Sequence, residues 1–257
     1  MSKILKHAVW IALAGCLLLL AISLAMAWAT RGSAFPLGDK SVQHPTLVAV
    51  ELPESAEELG GLLQIGGEWT RPIVARLRAS MTWDNYFPLA YSLCFLTIII
   101  FVLGSQPQQS AWALSAGAAG AIAIVITIVF DYRENTYLLA LLDKASSGAD
   151  VQIAQLTPLI SSMSHASLLK WGCLGISLAW LGLAEVLMQP RGVPFAPAGA
   201  LRILSAFSGG IFGVWAWIQH ARGLVDLALN AFAIVALTTL VQSIVSIRSR
   251  RQVQVQP

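Results

Sequence analysis

Six apolar stretches, each long enough to cross a lipid bilayer as a helix, constrain this chain more than any other feature of its sequence. The ~30 Å hydrocarbon core of a membrane requires about 20 apolar residues in a helix. The stretches run approximately from His7 to Trp28, Trp83 to Leu103, Ala111 to Phe130, Ser167 to Met188, Ala200 to Ile218 and Gly223 to Ile247. The sequence therefore predicts an all-α, polytopic integral membrane bundle of about six transmembrane helices, with a long outer loop after the first.

Composition excludes the main soluble classes. Only 11% of the 257 residues are charged, against roughly 25% in an average soluble domain. That is too little charge to cover a water-facing surface of this size. The basic residues form neither a stripe nor a nucleic-acid motif, so nucleic acid is not an expected partner. The expected partners are the lipid bilayer and, as a candidate, another membrane protein.

Neither the cysteines nor any known catalytic motif in the sequence indicates a cofactor. Cys16, Cys94 and Cys173 each lie within an apolar stretch, where a thiol is typically a small packing residue. No C-x-x-C, H-E-x-x-H or G-x-S-x-G spacing occurs, and these are the patterns that would indicate a redox, zinc or hydrolase site. We therefore predict neither a cofactor nor a bound metal, and no catalytic residue can be assigned.

The first apolar stretch has competing interpretations. Lys3 and Lys6 precede it, and Ala25-Met26-Ala27 resembles a signal-peptide cleavage site, while Leu13-Ala14-Gly15-Cys16 resembles a lipoprotein processing box. A signal h-region is usually 7–15 residues long, however, and this stretch is longer. The chain also stays apolar after Cys16, where a lipoprotein tether would be polar. An uncleaved membrane anchor is the favoured interpretation.

The distribution of charge predicts the orientation. With a cytoplasmic N-terminus and six spans, the short inner segments carry seven basic residues and one nearby acid, Glu185. The other twelve acids fall on the outer side. Lysine and arginine are enriched in cytoplasmic segments, so we predict a bacterial-type inner membrane protein with both termini in the cytoplasm. The inner basic residues are Lys3, Lys6, Arg191, Arg202, Arg248, Arg250 and Arg251.

The same patterns divide the chain into consecutive segments. The sequence predicts an N-terminal anchor at 1–28, an outer loop with short interfacial helices at 29–82, a three-span core at 83–188, a proline-rich cytoplasmic linker at 189–199, and a hairpin with a basic tail at 200–257. In the outer loop, Ser55 followed by Glu58 forms a capping box that predicts a helix start. A second short helix is predicted from Thr70 to Met81, with Pro72 tolerated in its first turn.

The region after the third span is ambiguous. Charged residues follow Phe130, but the apolar pattern resumes from Tyr137 to Leu142, so the third helix either ends or continues there. Between Asn135 and Ala166 we expect a short helix flanked by flexible joints, because the segment has two serine-rich stretches. Elsewhere small residues recur every fourth position, as at Ala113, Gly117 and Ala121, and this spacing favours close helix packing rather than a pore.

Polar residues at several helix ends form the main candidate site. Under the predicted topology, alternate span ends meet on the outer side, where Lys170 is available to pair with acids. Helical spacing places Asp84 and Tyr91 on one face, and Asp131 with Glu134 and Asn135 on another. These primary candidates are Asp84, Tyr91, Asp131, Glu134, Asn135 and Lys170. The secondary candidates are His165, His220, Arg222 and Asp226.

This polar constellation has three interpretations. The first is a structural network in which Lys170 neutralises a carboxylate, because charge near hydrocarbon must be paired or hydrated. The second is a proton- or ion-linked site for a small solute, since several acids at low dielectric favour proton exchange. The third is a membrane-embedded enzyme that uses two carboxylates, or a metal held by acids with His165 or His220. We favour a non-enzymatic protein whose cluster organises the bundle or a partner interface.

Short motifs at the helix ends resemble those of a loose set of uncharacterised bacterial polytopic membrane proteins. The stretch from Asp84 to Tyr91 matches a D-x-x-F-P-x-x-Y helix opening, and Asp131 to Asn135 matches a D-x-x-E-N helix end. Lys170-Trp171 resembles the Lys-Trp pair that opens a later helix in the set. The resemblance covers about the middle 90 residues. The resemblance implies a shared arrangement of helix ends but does not indicate an activity.

Overall fold

Among the residues that the structure describes, six helices are long and apolar enough to cross a membrane, as the sequence predicts. The computed structural model describes residues 3–29, 35–37, 40–42, 47–53, 55–65, 70–104, 110–147, 153–188 and 196–254. The membrane-spanning candidates are His7–Met26, Arg71–Gly104, Ala111–Ser146, Thr157–Met188, Pro197–Gln219 and Gly223–Val245. The protein is an all-α, multi-pass membrane bundle.

The described elements follow one another along the chain in the order α1 to α9. The first helices are α1 (Lys3–Ala29), α2 (Leu47–Glu51), α3 (Ala56–Leu63) and α4 (Thr70–Asp84). The remaining helices are α5 (Phe87–Gly104), α6 (Ala111–Ser146), a 3-10 turn at Ile153–Gln155, α7 (Thr157–Met188), α8 (Pro197–Gln219) and α9 (Arg222–Gln254). Two three-residue strands, β1 (Phe35–Leu37) and β2 (Lys40–Val42), pair antiparallel within the predicted outer loop.

The expectation of a short helix between flexible joints from Asn135 to Ala166 is wrong over most of its length, whereas the alternative that the third helix continues past Phe130 is correct. Helix α6 continues to Ser146, and α7 begins at Thr157, ten residues before the predicted start of the fourth span at Ser167. The physical reason is an apolar stripe with helical spacing that the serines obscure. Its members on α6 are fully or almost fully buried: Leu138, Leu141, Leu142 and Ala145.

The chain forms two compact units, each built from separated stretches. Unit 2 comprises Ile22–Pro88 and Ile128–Lys170. Its apolar core brings together α3, α4, the end of α6 and the start of α7, with Leu63, Ile73, Leu142 and Met163 all fully buried. Burial of apolar side chains is the dominant force that holds such a unit together.

Both short helices predicted in the outer loop are present in unit 2. Ser55 caps α3, with its hydroxyl accepting a hydrogen bond from the Glu58 backbone N–H at 3.0 Å. Helix α4 starts at Thr70 and continues three residues beyond Met81, to Asp84. An exposed ion pair between Arg78 and Asp143 connects α4 to α6.

Unit 1 comprises Met1–Ala21, Leu89–Thr127 and Trp171–Pro257, and its helices approach closely at small residues. A Cβ built on Gly213 would lie 2.8 Å from the Cα of Gly175, so the backbones of α7 and α8 are in contact. Helix α1 packs against α5 in the same way, because a Cβ on Gly15 would lie 2.7 Å from Thr97 Oγ1. Small residues thus permit close packing in lipid.

Candidate functional site: a buried lysine–carboxylate cluster

Lys170 lies at the centre of a buried charge cluster in unit 2. Its Nζ is 2.8 Å from Glu134 Oε2, 3.3 Å from Glu51 Oε2 and 3.6 Å from Asp131 Oδ1. The lysine side chain is 8% exposed, and those of the three acids are 4% exposed or less. The carboxylates come from α2 and α6, while the lysine comes from α7. One ammonium group therefore connects three elements that are far apart in sequence.

The spacing of residues on α6 explains why this helix supplies two of the acids. Asp131, Glu134 and Asn135 stand at positions i, i+3 and i+4, which share one helix face. All three are 3% exposed or less. Arg133, between them in sequence, is exposed. This face of α6 is therefore buried and polar, whereas Arg133 lies on an exposed face of the same helix.

Asp84, the last residue of α4, lies at the edge of the cluster. It is 4% exposed and close enough to Glu51, Asp131 and Lys170 to interact electrostatically with each. It makes no ion pair with Lys170, and its Oδ2 has no hydrogen-bond partner among the described residues. Asn135 lies near Asp84, although neither polar atom of its amide meets hydrogen-bond geometry with the described part of the chain.

Glu51 is the member of the cluster that sequence reasoning missed. It ends α2 and is 3% exposed. Its backbone carbonyl also accepts a hydrogen bond from Ser164 Oγ at 3.3 Å, which connects it to α7 a second time. The only local signal is an acid within the apolar run from Leu47 to Leu52. Its partner Lys170 is 119 positions away, too far for helical spacing to indicate.

Five of the six primary candidates therefore lie in unit 2, and Tyr91 does not. Tyr91 is 4% exposed on α5, in unit 1. The secondary candidates His220 and Asp226 are also in unit 1, where both are exposed. His220 ends α8 in the left-handed conformation, with φ of 53°. The side chain of Arg222 lies outside the described residues.

The last secondary candidate, His165, lies in unit 2 away from the cluster. It lines a groove of about 250 Å³ between α6 and α7, together with Arg133 and Tyr137. Ser161 and Ser162 also line this groove. None of the residues of the lysine–carboxylate cluster is among its lining residues.

A second buried ion pair lies in unit 1. Arg202 Nε donates a 2.8 Å hydrogen bond to Glu185 Oε2, and Nη1 donates one of 2.6 Å to Gln242 Oε1. The guanidinium also lies 5.7 Å from the ring centroid of Phe101, within cation–π range. In contrast to the cluster in unit 2, this pair balances one cation with one acid.

The cluster in unit 2 has more acid than base. Four carboxyl groups, those of Glu51, Asp84, Asp131 and Glu134, share one buried lysine. Excess negative charge at low dielectric must be balanced by bound protons or by a cation. Over the described ranges, no group of three or more His, Cys, Asp or Glu side chains has the geometry to hold a metal ion.

Comparisons of the chain with protein-family models, with curated proteins and with solved structures gave no match.

Proposed function

We propose that this chain is a non-enzymatic membrane protein whose buried lysine–carboxylate cluster holds together a helical unit outside the hydrocarbon. The observation that carries the proposal is the set of contacts around Lys170, which joins α7 to acids from α2 and α6. A network that connects several elements and is closed to solvent is suited to organising a fold. A site for a soluble substrate requires access that these buried side chains do not have.

Helix length supports an extramembrane position for this unit. The 36 residues of α6 span about 54 Å at 1.5 Å per residue, well beyond a ~30 Å hydrocarbon core. The apolar stretch of α6 ends at Phe130, so the continuation to Ser146 extends past the lipid tails. A folded helical unit at the membrane surface provides an interface for a second membrane protein, and we propose that this is its role.

The proposed location is a bacterial-type inner membrane, with both termini cytoplasmic and unit 2 outside. The support is the charge distribution, since seven bases and a single acid fall on the predicted inner segments. Helix α1 is proposed to stay in the protein as an anchor. One face of it, including Ala8, Ala12 and Cys16, is buried.

The excess of acid in the cluster favours one alternative, a proton- or ion-linked carrier. Carboxylates that exceed their counterions in a low-dielectric site are the arrangement from which such carriers exchange protons. In that case Glu134 or Asp84 would take up and release the transported charge. This alternative requires a water-accessible route to the cluster.

Neutral substitutions distinguish the two functions. We expect Asp131→Asn and Glu134→Gln to lower thermal stability in detergent, because each removes a carboxylate that contacts Lys170, while the exposed Asp143→Asn serves as the control. Proton flux into proteoliposomes under an imposed potential, reported by a pH-sensitive dye, is measured on the same variants. If both variants stay as stable as the control but lose a flux that the unmodified protein has, the structural function is wrong and the carrier is supported.

A further inference from the structure

The groove between α6 and α7 has a polar end and an apolar end. Helices α6 and α7 run in opposite directions along it. Phe130 and Leu169 line one end, and Tyr137 and Ser162 line the other, each seven residues away along its helix. Seven residues correspond to about 10 Å of helix. The groove therefore changes from apolar to polar over a distance comparable to that between the acyl chains and the headgroup of a lipid.

Its polar end is suited to an anion. Arg133 supplies a cation, and the imidazole of His165 and the hydroxyl of Ser162 supply hydrogen-bond donors. No carboxylate is among the described residues that line the groove. This is the reverse of the lysine–carboxylate cluster, where acids predominate.

Tyr137 orients the guanidinium of Arg133 and leaves its terminal amino groups able to donate hydrogen bonds to a ligand. Its Nε donates to Tyr137 Oη at 3.2 Å, and its Cζ lies 5.8 Å from the centroid of the same ring. Within the described part of the chain, its terminal amino groups make no hydrogen bond. A guanidinium oriented in this way presents two parallel N–H groups, the geometry that binds phosphate oxygens.

The position of the groove relative to the bilayer indicates which kind of molecule carries the phosphate. Phe130 is the last residue of the apolar stretch of α6, and Val129 beside it is 60% exposed, as expected of a residue that faces lipid. Arg133 lies one helical turn further out, at the level where headgroups lie. The volume of about 250 Å³ is below the ~300–1,000 Å³ of pockets that enclose a whole drug-sized ligand. It fits a headgroup whose chains remain in the bilayer.

We infer that this groove binds an anionic phospholipid, with the headgroup phosphate at Arg133 and His165 and an acyl chain along Phe130 and Leu169. The inference does not depend on the function of the lysine–carboxylate cluster or on which side of the membrane unit 2 faces. Lipid bound there would fix the start of α7 to the end of α6 at the membrane surface.

The test uses delipidated full-length protein in a neutral detergent and measures the shift in melting temperature. The probes are dioctanoyl phosphatidylglycerol, dioctanoyl phosphatidylcholine, dioctanoylglycerol without phosphate, and glycerol 3-phosphate without chains. We expect the largest shift with phosphatidylglycerol. Native mass spectrometry should show one phosphatidylglycerol molecule retained per protein.

Variants locate the binding site. Arg133→Gln should raise the phosphatidylglycerol concentration for a half-maximal shift by about tenfold or more, and Leu169→Trp should do so by filling the apolar end. Arg71→Gln, which removes an exposed arginine of the same unit outside the groove, should have no effect.

Three results would overturn the inference. One is an equal loss in Arg71→Gln and Arg133→Gln, which would show general attraction of anionic lipid. Another is an undiminished phosphatidylglycerol shift in both groove variants. The third is a shift with glycerol 3-phosphate as large as that with phosphatidylglycerol, which would indicate a soluble phosphate compound in place of a lipid.

Discussion

At the scale of single residues, the acids around Lys170 are not equivalent. Glu134 has both carboxylate oxygens within 3.0 Å of Nζ, while Asp84 makes no ion pair with it. Removing one partner of a buried pair is costly because it leaves the other charge uncompensated. An acid that adds unneutralised charge to the same site has the opposite effect. Whether neutralising an acid of the cluster lowers or raises the stability of the protein therefore depends on which acid is neutralised.

We expect Asp84→Asn to leave the melting temperature unchanged or to raise it. The substitution removes a buried carboxylate whose desolvation and repulsion by Glu51 and Asp131 oppose its attraction to Lys170. Asp131→Asn is the matched control, since the same chemical change at a residue 3.6 Å from Lys170 Nζ should lower the melting temperature. Differential scanning fluorimetry in detergent measures both. A larger loss in Asp84→Asn than in Asp131→Asn would contradict this assignment of roles.

The cap of α3 permits a second residue-level prediction. Ser55 accepts a hydrogen bond from the Glu58 N–H. A hydrogen bond from the backbone of Glu57 and, to a smaller extent, one from the Ser55 hydroxyl hold the pKa of the Glu57 carboxyl below its ordinary value. Ser55→Ala should cost about 1 kcal/mol of unfolding free energy. It should also raise the pKa of Glu57.

The pH dependence of the cap follows from the direction of that shift. A carboxyl whose pKa is lowered by folding contributes stability above its unfolded pKa, and that stability is lost as pH falls through the folded pKa. The difference between Ser55→Ala and the unmodified protein should therefore shrink on acidification below about pH 4. A denaturant series at several pH values measures it, with the exposed Ser147→Ala as the control. A difference that grows on acidification would contradict the assignment.

At the scale of helices, hydropathy predicts the spans well because the bilayer imposes their length. The grouping of Asp131, Glu134 and Asn135 was predictable for a similar reason, since α-helical spacing is local and regular. The start of α7 at Thr157 was not, because serines at 161, 162 and 164 are typical of loops. Leu156, Ile160 and Met163 nevertheless keep a helical apolar stripe that packs into the core of unit 2. For α6, the apolar pattern from Tyr137 to Leu142 is consistent with the helix either ending or continuing, and the helix continues. The position of Glu51 depends on a fold-back of the chain that no local pattern encodes.

Packing of α1 against α5 predicts a chemical cross-link. The Sγ atoms of Cys16 and Cys94 are 3.6 Å apart. A small side-chain movement can therefore bring them to the ~2.05 Å of a disulfide bond. A membrane-permeable oxidant should therefore reduce the number of free thiols from three to one without any substitution. Mass spectrometry of alkylated peptides measures this. Cys94→Ser should abolish the cross-link and Cys173→Ser should leave it intact; a cross-link that involves Cys173 would contradict the packing.

At the scale of the whole molecule, the charge distribution makes the orientation testable. In a variant without native cysteines, Ser147→Cys should react with a membrane-impermeant maleimide added to intact cells, because Ser147 is exposed at the end of α6. Gly192→Cys, in the predicted cytoplasmic linker, should react only after permeabilisation. The reverse pattern would place unit 2 in the cytoplasm.

We expect Lys170 and its acids to stabilise unit 2 as a coupled network. The most direct measurement is a double-mutant cycle of unfolding free energy for Lys170→Met and Glu134→Gln, with the exposed Lys144→Met as the control. We expect Lys170→Met to cost about 3–5 kcal/mol, because it leaves the acids without a counterion. The double variant should recover part of that loss, with a coupling of about 0.5–3 kcal/mol. Losses that simply add, with Lys170→Met no more destabilising than Lys144→Met, would show that Lys170 and Glu134 are not coupled and would contradict a stabilising network.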